Sequence, residues 1–254
     1  MSGDEFYIGW EERTAPALSR FTRAKVLALV ALGVVVAALV AATQQPFASS
    51  RFEFGVVRSF EGRVEFVPYP TLVVQRPGEA RGSVAPESRW LLTVFGKFGA
   101  EAAFEGMDGH RVRFDGSLID RDGVTMVEVL PDSVEDGGAE APTVAFAEPT
   151  REVTLRGEIV DSKCYLGVMK PGNLKTHRAC AARCISGGVP PVLLVRQGDG
   201  AARYVLLVDA RGGAVNDRVL DMVAEPVEIT GALSDLGGLE LLRADPAAYR
   251  RLAE

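Results

Sequence analysis

All three cysteines of the chain, Cys164, Cys180 and Cys184, lie in one short stretch with His177, one of only two histidines. Thiolate sulfur and imidazole nitrogen are ligands that zinc and copper prefer in proteins. The spacing C-x12-H-x2-C-x3-C therefore predicts a site for one zinc or copper ion with these four residues as its ligands. The chain has no C-x-x-C-H run, so attachment of a c-type haem is not indicated.

Two other uses of the cysteines are compatible with the sequence. Two of them could form a disulfide, leaving the third thiol buried or spare. One could instead be a reactive, redox-active thiol, because cations stabilise a neighbouring thiolate. The segment is rich in such cations, namely Lys163, Lys170, Lys175, Arg178 and Arg183.

The elements around these residues determine whether the side chains can meet. A strand-like run ends at Val160, and the turn signal Pro171-Gly172-Asn173 precedes a predicted helix over residues 174–185. On one continuous helix, His177, Cys180 and Cys184 would share a face at positions i, i+3 and i+7. Cys164 would approach that face from the end of the strand.

Asp161 at the end of the strand has two interpretations. It could accept a hydrogen bond from His177 and so orient the imidazole. It could equally be a carboxylate of the turn that follows the strand. The other histidine, His110, stands alone on a polar turn, where we expect it to be solvated.

The N-terminal part predicts a membrane anchor. Residues 1–25 form a polar leader, and residues 26–43 are an uncharged apolar run long enough to span a hydrocarbon core as a helix. Basic residues before the run favour a cytoplasmic N-terminus, so the rest of the chain would be periplasmic at the inner membrane. A cleaved signal peptide is the alternative, although the leader is long and acidic for one.

The remainder of the chain predicts a mainly β fold with an internal repeat. Short β-branched and aromatic runs group into units over residues 52–134 and 151–250, separated by an acidic, proline-containing linker over residues 135–150. The run MDGHRVRFDGSLIDRDGVTMV from Met107 aligns with MVAEPVEITGALSDLGGLELL from Met222. Five short strands per unit, with glycines at bends, predict two tandem OB-like barrels. The Cys/His segment, residues 161–191, is then a helical insertion in the second barrel.

The second unit resembles a family of bacterial exported OB-like domains with the pattern G-x-V-V-D-x-x-C, H-x-x-C-A-x-x-C-x-x-G-x-P and V-x-V-x-G. The corresponding runs are GEIVDSKC from Gly157, HRACAARC from His177, GGVP from Gly187 and VEITG from Val227. The leader DEFYIGWEERTAPALSRF resembles that of membrane-anchored proteins of respiratory molybdopterin or cytochrome b systems. The resemblance implies the company of an exported redox chain rather than a particular reaction.

These observations predict a non-catalytic, membrane-anchored periplasmic accessory subunit of a membrane redox complex, in which the Cys/His segment is a metal or disulfide staple. A periplasmic zinc- or copper-binding protein and a thiol–disulfide redox protein are the alternatives. The expected partners are the membrane and other subunits of the complex. Nucleic acid is not expected, because 34 acidic residues outnumber 28 basic ones and the net charge is -6.

Overall fold

A computed structural model describes residues 15–43, 50–75, 87–140, 151–196 and 202–252. The N-terminal helix α1 (Pro16–Thr43) begins earlier than the apolar run from Val26 that the sequence marked. Proline suits the first turn of a helix, where its missing N–H leaves no hydrogen bond unmade. None of the helix's residues is buried, and its length and hydropathy suit a membrane span or a signal sequence alike.

The first barrel is a closed ring of five strands with three short strands added at its edges. The strands are β1 (Ser50–Phe52), β2 (Arg58–Phe66), β3 (Pro70–Gln75), β4 (Glu87–Val94), β5 (Phe98–Gly99), β6 (His110–Arg121), β7 (Val124–Val129) and β8 (Glu135–Ala139). The ring runs β2–β3–β4–β7–β6 and back to β2, and β4 and β7 are parallel while the other neighbours are antiparallel. That order is the OB topology.

The strands of the second barrel are β9 (Arg151–Asp161), β10 (Pro191–Arg196), β11 (Ala202–Val208), β12 (Pro226–Asp235), β13 (Glu240–Arg243) and β14 (Arg250–Arg251). They repeat the ring of the first barrel in the order β9–β10–β11–β13–β12 and back to β9, with β11 and β13 parallel. The helices of the second barrel are α2 (Arg178–Ser186), between β9 and β10, and α3 (Asn216–Val219), before β12. The Cys/His segment therefore lies between the first and second strands of this ring.

Strand register confirms that the two units repeat. Val112 pairs with Gly62 in the first barrel, and Val227 pairs with Gly157 in the second. Similarly, Leu118 pairs with Val127, and Leu233 pairs with Leu242. Positions that align in the sequence therefore occupy equivalent places in the two rings.

Two segments differ from the sequence interpretation. Residues 135–139, which the sequence assigned to the linker, form strand β8 and pair with β6; the rest of the predicted linker, residues 141–150, lies outside the described residues. The run from Phe54 to Val57 resembled a strand, yet it is a loop in which Phe54, Val56 and Val57 are exposed. β-Branched and aromatic composition alone does not make a strand where no neighbouring strand is available for pairing.

Gly157 lies on β9 where the neighbouring strand β10 approaches it closely. A Cβ at this position would sit 2.5 Å from the carbonyl oxygen of Leu194. We expect Gly157→Ala to lower the free energy of unfolding by about 1–3 kcal/mol, because the two strands would have to separate. Urea unfolding of the detergent-solubilised chain measures this. Thr154→Ala, at an exposed position on the same strand, is the control, and equal losses in the two variants would contradict the argument.

A hydrophobic cluster joins the two barrels into one folded unit. It combines buried side chains of the first barrel, such as Tyr69 and Met126, with buried side chains of the second, such as Val160, Leu166 and Leu206. Each barrel also has a separate core of its own. Because one fully buried aliphatic side chain contributes about 1.5–3 kcal/mol, a shared cluster of this kind fixes the barrels against each other.

Candidate metal centre

The Cys/His segment folds as three short helical pieces between β9 and β10. A π-helical turn (Cys164–Val168) follows β9, and a 3-10 turn (Lys175–His177) leads into α2. The sequence predicted one helix over residues 174–185, whereas the α-helix begins only at Arg178. It ends at Gly187, whose N–H donates to the Cys184 carbonyl oxygen at 3.0 Å.

The three sulfur atoms lie together. The Sγ atoms of Cys164, Cys180 and Cys184 are all within 4.8 Å of one another, and those of Cys164 and Cys184 are 3.9 Å apart. Cys164 and Cys184 are buried, Cys180 is half-buried, and all three are free thiols rather than disulfide partners. A metal ion that binds two sulfur ligands at about 2.3 Å, with a sulfur–metal–sulfur angle between tetrahedral and trigonal, holds the two sulfur atoms nearly as far apart as those of Cys164 and Cys184.

His177 belongs to a second group that shares Cys164 with the first. Its Nε2 lies 3.1 Å from Oδ2 of Asp161, and the ligand atoms of Asp161, Cys164 and His177 are within 4.8 Å of one another. The four predicted ligands thus form two overlapping groups. His177 lies in a 3-10 turn before α2 and not within the α-helix. It therefore does not lie on one helix face with Cys180 and Cys184.

Asp161 organises this second group from the end of β9. Its side chain is fully buried, and its Oδ1 accepts a hydrogen bond from the Cys164 backbone N–H at 2.8 Å. Both interpretations from the sequence describe what Asp161 does. Its carboxylate contacts the His177 ring, and it also holds the turn that carries Cys164. It therefore fixes the positions of both residues.

We expect Asp161→Ala to lower the free energy of unfolding by about 2–4 kcal/mol, because it leaves a buried N–H and a buried imidazole without their acceptor. Urea unfolding of the metal-free, solubilised chain measures the loss. Asp161→Asn, which keeps one acceptor oxygen, should lose less. Glu152→Ala, exposed on the same strand, should change little, and an equal loss there would argue against this role.

Lys97 of the first barrel completes the sulfur cluster, although no feature of the sequence predicts this role. Its Nζ donates to Cys180 Sγ at 2.8 Å and to Cys184 Sγ at 3.5 Å. The hydrogen bond to Cys180 raises the pKa of the Lys97 ammonium above its ordinary value. The lysine lies in the turn between β4 and β5, in the run Gly96-Lys-Phe-Gly99, and nothing in that run links it to residues more than eighty positions away.

Backbone contacts hold the Lys97 turn against the end of α2. The Gly99 N–H donates to the Gly187 carbonyl oxygen at 2.9 Å. A Cβ at Gly187 would lie 1.9 Å from the Lys97 carbonyl oxygen, so only glycine fits there. The Gly187-Gly188 pair therefore does more than end the helix, because it lets the first barrel approach the cysteines.

The two buried cysteines are hydrogen-bonded to each other through their sulfur atoms. This hydrogen bond, with burial, raises the pKa of the Cys164 thiol. The same hydrogen bond, together with Lys97, lowers the pKa of Cys184. Cys184 is thus the thiol of the pair that ionises first. Thiolates are the form in which cysteine binds metal ions, so the cluster is prepared for a thiophilic cation.

Lys163, next to Cys164, links the barrels on the other side. Its ammonium is buried and donates to the carbonyl oxygens of Val94 and Gly96 at 2.7 and 2.9 Å. It also pairs with Glu128 at 2.5 Å. In the sequence this lysine is one of the cations near the thiols, whereas in the structure its charge is directed into the first barrel.

The fold and the site define a class of protein: two fused OB-type barrels with a thiol cluster at their junction, preceded by an apolar helix. No family model and no curated protein matches the chain. A solved structure of a deletion mutant of the single-stranded DNA-binding protein from Thermus aquaticus is similar at 10% identity and a TM-score of 0.24, covering 82% of this chain and 89% of that chain. A likeness of that size carries no argument about fold or function.

Proposed function

We propose that this chain is a metal-binding protein that holds one zinc or copper ion between its barrels. The observation that supports the proposal is the convergence of the Cys164, Cys180 and Cys184 sulfur atoms to within 4.8 Å of one another. Sulfur ligands of this kind select zinc or Cu(I). The Asp161 carboxylate, which contacts the His177 imidazole and accepts a hydrogen bond from the Cys164 backbone N–H, would hold Cys164 in position as a ligand.

Charge balance favours zinc over Cu(I) at this site. Three thiolates around a divalent ion leave one negative charge, and the Lys97 ammonium beside the sulfurs would neutralise it. The same thiolates around a monovalent ion would leave two negative charges against one lysine. Uncompensated charge in a mostly buried site is unfavourable.

The test is elemental analysis of the full-length chain, purified in mild detergent without chelators. We expect one zinc per chain, and metal-free protein should gain three thiols that react with an alkylating agent. One copper per chain would keep the metal site but overturn the charge argument. Protein without stoichiometric metal, or with two cysteines in a disulfide, would contradict the proposal.

We further propose that α1 is retained as an anchor and that the barrels lie outside the cytoplasmic membrane. Arg20, Arg23 and Lys25 precede the apolar part of the helix, which favours a cytoplasmic N-terminus. The intact mass of the mature protein decides between anchor and signal sequence. A mass that lacks the residues up to the end of α1 would identify a cleaved signal.

A second candidate function is that of a non-catalytic accessory subunit of a membrane redox complex. The supporting observation is the exposed apolar loop that carries Phe54, Val56 and Val57, which has the composition of a contact surface. Gentle solubilisation should then yield stoichiometric companion subunits with a haem or molybdenum cofactor detectable by absorbance or metal content. A chain that elutes alone and without such cofactors would count against this function.

A further inference from the structure

Lys97 and Cys180 form a close contact between the two barrels. Their Nζ and Sγ atoms are 2.8 Å apart, and the two residues come from different barrels. The backbone contact between Gly99 and Gly187 keeps the lysine in place. Cys180 is also the least buried of the three cysteines, so a small dissolved oxidant reaches its sulfur first.

We propose that Lys97 and Cys180 are a site of oxidative modification, at which one oxygen atom becomes bonded to both the lysine nitrogen and the cysteine sulfur. The product is an N–O–S bridge that covalently links the first barrel to the second. The inference rests on the proposed function in one respect: the bridge would regulate the same site by removing Cys180 as a metal ligand.

The reaction balances with two molecules of peroxide as the oxidant. The first oxidises the Cys180 thiol to a sulfenic acid: an S–O bond replaces the S–H bond, and one water leaves. The second requires that the Lys97 ammonium first release one proton to solvent, and it then oxidises the resulting amine and the sulfenic acid together. An N–O bond forms, one N–H and the O–H bond break, and the two protons and two electrons reduce the peroxide to two waters.

The geometry favours this bridge over a disulfide, whether the disulfide includes Cys180 or joins Cys164 and Cys184. An oxygen atom bonded to both Nζ and Sγ would hold them only slightly closer than the 2.8 Å observed. The Cys164 and Cys184 sulfurs are 3.9 Å apart and must approach to about 2.05 Å to form a disulfide. They are also buried, whereas the Lys97 and Cys180 side chains are both partly exposed.

The bridge would make oxidation and metal loading mutually exclusive. An oxidised chain keeps only two of the three sulfur ligands, so it should release the metal ion. Because the N–O–S linkage contains oxidised sulfur, a thiol reductant should reverse it and restore the ligand. Conversely, a bound metal ion would occupy the Cys180 sulfur and slow the oxidation.

The experiment treats metal-free, full-length protein with dilute hydrogen peroxide and measures its intact mass. We expect a gain of one oxygen and a loss of two hydrogens, about 14 Da, which a thiol reductant reverses. Digestion should yield one cross-linked pair of peptides that contain Lys97 and Cys180. Lys97→Arg keeps the positive charge but should abolish the shift, while Lys175→Arg, in the Cys/His segment, should retain it.

The other outcomes separate this inference from the metal proposal. A loss of about 2 Da from a disulfide, or a gain of oxygen atoms on Cys180 without a linked peptide, would overturn the bridge. Untreated protein with one ion per chain but no bridge after oxidation would refute the inference while the metal site stands. A bridge in protein that never binds metal would support the modification and refute the metal site.

Discussion

Cys184→Ser is expected to reduce the metal content of the purified chain from one ion to less than about one-tenth. Cys184 is buried in the middle of the cluster, where its sulfur lies 3.9 Å from that of Cys164 and 3.5 Å from the Lys97 ammonium. A serine hydroxyl is a poor ligand for thiophilic ions. Loss of a supporting hydrogen bond typically costs 10–100-fold in metal affinity, so loss of a ligand should cost at least about 100-fold.

The measurement is competition for zinc against a chromophoric chelator, together with elemental analysis of the purified variant. Ser186→Ala is the matched control, because Ser186 is an exposed residue of the same helix. It should bind metal like the unaltered chain. If Cys184→Ser kept one ion per chain at unchanged affinity, the ion would have to lie elsewhere, and the thiol cluster would lose its assigned function.

Lys163→Met should lower the free energy of unfolding by about 3–5 kcal/mol, the usual cost of removing one partner from a buried ion pair. Only 2% of the Lys163 residue is exposed, and its ammonium serves Glu128 and the carbonyl oxygens of Val94 and Gly96 together. Methionine fills the space but leaves the carboxylate and both oxygens without their donor. Urea unfolding at neutral pH measures the loss.

Combining Lys163→Met with Glu128→Gln should recover part of the stability, because the uncompensated carboxylate is then gone. Lys175→Met, at an exposed position in the same segment, should change stability by no more than about 0.5 kcal/mol. If Lys163→Met and Lys175→Met were equally stable, the link between the barrels through Lys163 would be energetically unimportant.

Much of the fold could be predicted from the sequence because the signals were local. The dipeptide Asp122-Gly123 is a local hairpin signal, and it joins β6 and β7 in a hairpin whose two turn residues both have positive φ. The alignment of Met107 with Met222 predicted that two barrels repeat, and the strand registers agree. Strand alternation and turn residues act over a few positions, so the sequence displays them directly.

The remaining features depend on contacts between distant parts of the chain. The grouping of the three cysteines was predictable from their spacing, but the separation of His177 from the Cys180 and Cys184 sulfur atoms depends on α2 starting at Arg178 instead of Leu174. Lys97 and Lys163 meet their partners only once the barrels have packed against each other. No periodicity or local motif encodes that packing, so the roles of both lysines cannot be predicted from the sequence.

The shared core between the barrels has a consequence for how the chain matures. Residues are synthesised from the N-terminus, so the whole first barrel, with the Lys97 turn, precedes the first cysteine out of the ribosome. If the first barrel folds as it emerges, the second barrel can fold against its surface. The thiols would then be enclosed as the second barrel closes, and the period in which they could react with the wrong partner would be short.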